Sequence, residues 1–138
     1  MITFYFHSSN TVFGKAIKFF SRGQYTHVSI GVNGFIYEAR EGKGVIRRKA
    51  DTDLKSVNYV HFFDLDEKAV EEFLKKQLGK GYDWLGVLSF VWRFIRQGRN
   101  VWYCSELALV ALAKGKGVKE YNQRQSPTDF YYITKIAL

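Results

Sequence analysis

Thr26-His27-Val28-Ser29-Ile30-Gly31-Val32-Asn33-Gly34-Phe35-Ile36-Tyr37-Glu38-Ala39 consists of two β-prone runs joined by Asn-Gly. Asn-Gly tolerates the positive φ that both central positions of a two-residue hairpin turn require, so residues 26–39 read as a β-hairpin. Such a turn pairs Val32 with Phe35, Ile30 with Tyr37 and Ser29 with Glu38. Side chains alternate along a strand, which puts His27 and Ser29 on one face. Glu38 then projects on that same face at the diagonal from His27, within reach of a long side chain.

Outward from the hairpin, residues 2–6 alternate as a short strand. Ser8-Ser9-Asn10-Thr11 offers N-caps to an amphipathic helix with Val12, Phe13, Ala16, Ile17 and Phe20 on one face, ended by Gly23. Gly44 to Lys49 and Val57 to Leu65 read as further strands. A helix follows, capped by Asp64 or Asp66, with Glu67 in its first turn and Val70, Phe73, Leu74 and Leu78 as its apolar stripe; Gly79 and Gly81 stop it. Tyr82-Asp83-Trp84-Leu85 opens a mostly apolar helix to about Gln97, with Asp83 as its cap. A fourth helix runs from Cys104 to Ala113 and is broken by Lys114-Gly115-Lys116-Gly117. Ser126-Pro127-Thr128-Asp129-Phe130 reads as a turn, and Tyr131 to Ala137 suits a closing strand. No repeat, low-complexity tract or linker interrupts the chain. Residues 1–138 are therefore expected to form a single α+β domain, a small, strongly bent antiparallel sheet or half-barrel with packed helices.

Composition sets the outer bounds. The hydrophobic fraction of 46%, with 12 Phe, 9 Tyr and 3 Trp, demands a folded, aromatic-rich interior and excludes disorder. The formal charge of +8 comes from scattered lysines and arginines with no long basic block. That pattern reads as a solvated surface able to make peripheral contact with anionic surfaces, and it does not call for a specific nucleic acid partner. A lone cysteine cannot form an internal disulfide. The start Met-Ile-Thr-Phe-Tyr-Phe-His lacks a signal-peptide pattern. The apolar stretch from Trp84 to Ile95 is broken by Ser89 and Arg93 and is too short to span a bilayer. A soluble, cytoplasmic protein is expected.

That lone cysteine, Cys104, stands where a helix begins, so free backbone N–H groups and the positive end of the helix dipole favour a thiolate. A buried cysteine also serves simply as a small hydrophobe, so position alone leaves both readings open. A thiol hydrolase needs a nucleophile, a histidine and a polar group that orients the histidine. Cys104, His27 and Glu38 supply the three. Glu38 could instead be an exposed strand carboxylate paired with Arg40 or Arg47. His7 and His61 read as structural or solvated. Cys104 with His7, His27 and His61 lacks the close paired spacing of a metal site.

Together, Tyr25-Thr26-His27-Val28-Ser29-Ile30-Gly31, Tyr37-Glu38-Ala39, Gly81-Tyr82-Asp83, Tyr103-Cys104-Ser105-Glu106-Leu107 and the turn at Ser126-Pro127-Thr128-Asp129-Phe130 resemble the permuted papain-like cysteine hydrolases. These are circularly permuted relatives of the NlpC-type cell-wall peptidases and include the YiiX-like and YaeF-like enzymes. The pieces come in the family's order over residues 8 to 130. Family members usually open with a Gly-Asp-apolar strand, whereas this chain opens Ile2-Thr3-Phe4-Tyr5-Phe6-His7. The resemblance implies Cys104 as nucleophile, His27 as general base and then acid, and Glu38 as the residue orienting His27. It implies hydrolysis or transfer of an acyl group held in an amide or thioester, with no metal or organic cofactor. The substrate would be a peptide, a peptidoglycan stem or an acylated molecule. A second expectation from another class is a non-catalytic binding or host-interaction module, phage-encoded or accessory, on the same scaffold.

Overall fold

The computed structural model describes residues 1–50, 58–83, 101–119 and 125–137. Asn33 and Gly34 both take positive φ, 49° and 77°, the conformation a tight hairpin turn needs. Around that turn β2 (His27–Val32) and β3 (Phe35–Arg40) pair antiparallel, with Val32 opposite Phe35, Gly31 opposite Ile36 and Ile30 opposite Tyr37. The paired register stops there, before Ser29 and Glu38. β1 (Ile2–His7) lies on the other side of β2, and β4 (Gly44–Lys49) and β5 (Asn58–Phe62) close the two edges. The sheet order is β4-β3-β2-β1-β5, antiparallel throughout. A separate parallel pair joins β6 (Gly81–Tyr82) to β7 (Val101–Trp102).

Period-two alternation divides this sheet into two chemically different faces. Ile2, Phe4, Phe6, Val28, Ile30, Val32, Tyr37, Ala39, Val45, Val60 and Phe62 form the buried core face. The opposite face carries Tyr5 across from Ser29 and His7 across from His27. The core is completed by α2 (Glu67–Gln77), α3 (Cys104–Lys116) and α4 (Pro127–Ala137); α1 (Val12–Ser21) lies elsewhere, against the cleft described below. Thr11 caps α1 by accepting from the Gly14 N–H, and Asp66 caps α2 by accepting from the Ala69 N–H, both as the local sequence predicts. The architecture is mixed α+β, a small antiparallel sheet with four helices among the described residues.

Two expectations are corrected. Residues 131–137 are helical, not a strand. Ser126 and Asp129 form a reciprocal cap: Ser126 Oγ accepts from the Asp129 N–H at 3.1 Å while Asp129 Oδ2 accepts from the Ser126 N–H at 3.1 Å. Pro127 follows at the first helical position, where its missing N–H costs nothing. Helical spacing then buries Phe130 and Thr134 together, with Phe130 edge-on to Phe4 at 5.2 Å between ring centroids. Burial and capping thus outweigh the β-propensity of Tyr131, Tyr132 and Ile133.

The cysteine helix also runs three residues past Ala113, to Lys116. Gly115 does not break it, because the helix uses its bare Cα for close packing. A Cβ there would come within 2.9 Å of Val70 Cγ2 and 3.0 Å of Leu65 Cβ. The helix expected from Trp84 to Gln97 lies outside the described residues.

Candidate active site

His27 opens β2, so its ring sits at one end of the sheet, where the N-terminus of α3 meets it. Nε2 of His27 stands 2.6 Å from Oε2 of Glu38. The Cys104 side chain is the ring's other polar partner and favours its charged form. The structure therefore brings all three expected residues together, His27 between a thiol and a carboxylate.

Glu38 is buried and doubly held. Its Oε1 accepts from Arg48 Nε at 3.2 Å, so neither Arg40 nor Arg47 is its cation. Register explains the choice. Glu38 lies opposite Ile46, and Arg48 is two residues further along β4 on the same face. Arg47 points the other way, over the Phe35 ring at 4.6 Å. The same alternation was available in the sequence once the turn before Gly44 was placed.

The charges reinforce one another. Burial works against the imidazolium, but the hydrogen bonds to Cys104 and Glu38 outweigh it and raise the His27 pKa from 6.5 to about 9. Burial likewise opposes the Glu38 carboxylate, and His27, then Arg48, pull its pKa down from 4.5 to about 2. At neutral pH the site holds an imidazolium beside a carboxylate. Tyr82 and Tyr103 pack with ring centroids 6.1 Å apart. Burial first, and then the neighbouring Cys104, pushes both phenols up, so both stay protonated.

Cys104 is the first residue of α3, behind the extended N-cap Tyr103. The Glu106 carboxylate reaches back to accept from the Tyr103 N–H at 3.4 Å, fixing the entry into the helix. Ser105 Oγ donates to the Gln125 carbonyl and ties this start to the segment that leads into α4. Because Cys104 is the first residue of α3, the positive end of the helix dipole lies at the sulfur.

A cleft of about 340 Å³ opens beside the site, lined by His27, Glu38, His7, Tyr82, Arg40 and, from α1, Phe13. Cys104 is 1% exposed and is not part of that lining. His7 proves to belong to the site's surroundings. Its Nε2 pairs with Ser29 Oγ at 2.9 Å, and its ring lies 5.5 Å from that of His27. His61, paired with Thr3 Oγ1 at 2.8 Å, stands away from it. Asp83 is buried, and the helix it was expected to cap falls outside the described residues. Among the described residues no group of three or more His, Cys, Asp or Glu side chains is placed to hold a metal ion.

The fold and site define an α+β protein with a Cys–His–Glu constellation at a helix start. The chain matches no family model, no curated protein and no solved structure.

Proposed function

We propose that the protein is a cysteine hydrolase of the permuted papain-like kind, acting on an amide, peptide or acyl-thioester bond. The observation that carries the reading is His27 held between Cys104 and a buried, doubly bonded Glu38. In this scheme the Cys104 thiolate attacks the substrate carbonyl carbon, and the carbonyl electron pair moves onto oxygen, facing the N–H groups of the α3 first turn. His27 gives its proton to the leaving amine or thiolate as the carbonyl–heteroatom bond breaks. His27 then takes a proton from water, the hydroxide adds to the acyl-Cys104 carbonyl, and the acid departs while Cys104 recovers its pair. Glu38 keeps the ring oriented and its charge balanced. A cell-wall peptide or a lipid-linked acyl group would fit this chemistry.

A second reading is favoured by one observation, the burial of Cys104 outside the cleft lining. A non-catalytic binding module on the same scaffold would keep the His27–Glu38–Arg48 cluster for structure alone. The deciding experiment screens peptidoglycan peptides, acyl amides and acyl thioesters against the wild type and Cys104→Ala, with intact-mass detection of an acyl adduct on Cys104. Turnover with a transient adduct, lost in Cys104→Ala, supports the hydrolase. Activity that survives the substitution removes the nucleophile, and no turnover on any of the three classes favours the binding module.

A further inference from the structure

Helix α1 presents two unlike faces. Phe13, Gly14 and Ile17 point inward and line the cleft. On the outer side Val12, Lys15, Phe19 and the C-cap Arg22 recur at spacings of three and four, which stacks them in one stripe. Val12 is 88% exposed and Phe19 76%, and Lys15 and Arg22 are exposed beside them. Lys18 flanks the stripe, its Nζ donating to Asn10 Oδ1 at 3.1 Å. The helix itself carries no acidic residue, the first Asp or Glu of the chain being Glu38.

Two exposed apolar side chains between cations on a ten-residue helix match the chemistry of an anionic bilayer interface. We propose that the outer face of α1 docks on an anionic lipid surface. Val12 and Phe19 enter the headgroup region, while Lys15, Lys18 and Arg22 lie against lipid phosphates. A nucleic acid backbone would satisfy the same cations but leave the aliphatic Val12 in water, so the lipid accounts for more of the surface. The inner face of the same helix walls the cleft that holds His27 and Glu38. Docking therefore brings the cleft to within roughly one helix diameter, about 10 Å, of the lipid. The inference stands whether or not Cys104 turns over.

The test is flotation of the full chain with vesicles of phosphatidylcholine alone and of phosphatidylcholine mixed with phosphatidylglycerol. Binding is expected to the mixed vesicles only, and to weaken with added salt. Lys15→Gln with Lys18→Gln should reduce it roughly twenty-five-fold, at about fivefold for each charge. Val12→Gln with Phe19→Gln should reduce it at least about tenfold. Ile136→Gln, at an 86% exposed apolar site on α4, should leave it unchanged. All the altered side chains lie at least partly in solvent, and far-UV circular dichroism checks that each variant folds. Equal binding to neutral vesicles, no binding to the mixed ones, or an Ile136→Gln loss as large as that of the α1 variants would overturn the proposal. So would binding of single-stranded DNA by the wild type and the Val12/Phe19 variant alike, without vesicle binding.

Discussion

His27 Nε2 and Glu38 Oε2 lie 2.6 Å apart across neighbouring strands, although the β2–β3 ladder has already ended at Ile30 and Tyr37. The contact is made by side-chain reach at the open end of the hairpin, and Arg48 on the next strand holds its far side. Four expectations follow from this arrangement and from the packing that supports it.

His27 should titrate near 9 by NMR, well above the 6.5 of a free imidazole. Glu38→Gln keeps a hydrogen-bond acceptor but removes the charge, so the His27 pKa should fall toward its ordinary value. A wild-type ring titrating at or below 6.5 would show that the ion pair does not form.

The same pair makes stability depend on pH in a defined direction. His27 is raised, so its contribution is complete below 6.5 and fades as pH climbs through about 9. Glu38 is lowered, so its contribution is complete above 4.5 and fades as pH falls through about 2. The two describe one interaction and are counted once. Urea unfolding should thus show a wild-type advantage over His27→Ala that is larger at about pH 5.5 than at about pH 9.5. An advantage that grows with pH would contradict the assignment.

Cys104 should react with iodoacetamide in the folded protein at neutral pH, and His27→Ala should slow that reaction by about 100-fold or more. Mass spectrometry of the adduct reads both rates. Labelling that proceeds only on unfolding, at the same rate with and without His27, would place Cys104 in the core as an inert side chain.

Ser126→Ala removes the acceptor for the Asp129 N–H and should cost about 1 kcal/mol of stability. Gly44→Ala should cost more, upward of about 2 kcal/mol, because it adds an overpacked atom to a strained backbone. Gly44 has φ +74°, and a Cβ there would stand 2.2 Å from the Lys80 carbonyl oxygen. Thermal melts of both variants check the order. If Gly44→Ala melts with the wild type, the close approach of the β6 segment to β4 is not as described.

What could be read from the chain was short in range. The Asn33-Gly34 turn, the Thr11 and Asp66 caps and the start of the cysteine helix each depend on residues a few positions apart, and each appears where the local chemistry puts it. The same local reasoning misplaced residues 131–137. It weighed the β-propensity of Tyr131 to Ile133 and took Ser126 to Asp129 for a turn, when the four residues form a helix cap. It also puts Arg40 or Arg47 beside Glu38, because it does not carry the alternation across onto β4, where Arg48 and not Arg47 shares the face of Glu38.

By itself, then, the sequence determined the hairpin, the starts of α1, α2 and α3 and the candidacy of Cys104, His27 and Glu38. Backbone conformation at turns and caps is set by neighbours in the chain, so such features are written locally. Tertiary structure decided that Cys104 meets a ring 77 positions earlier, that Arg48 clamps Glu38, that His7 stands beside His27, and that the sulfur is buried. Those outcomes depend on which strands share the sheet and on how α3 packs against it. Strand order and helix docking are set by the burial of Phe4, Phe6, Leu107 and Phe130 in one core, a collective property that no local window contains.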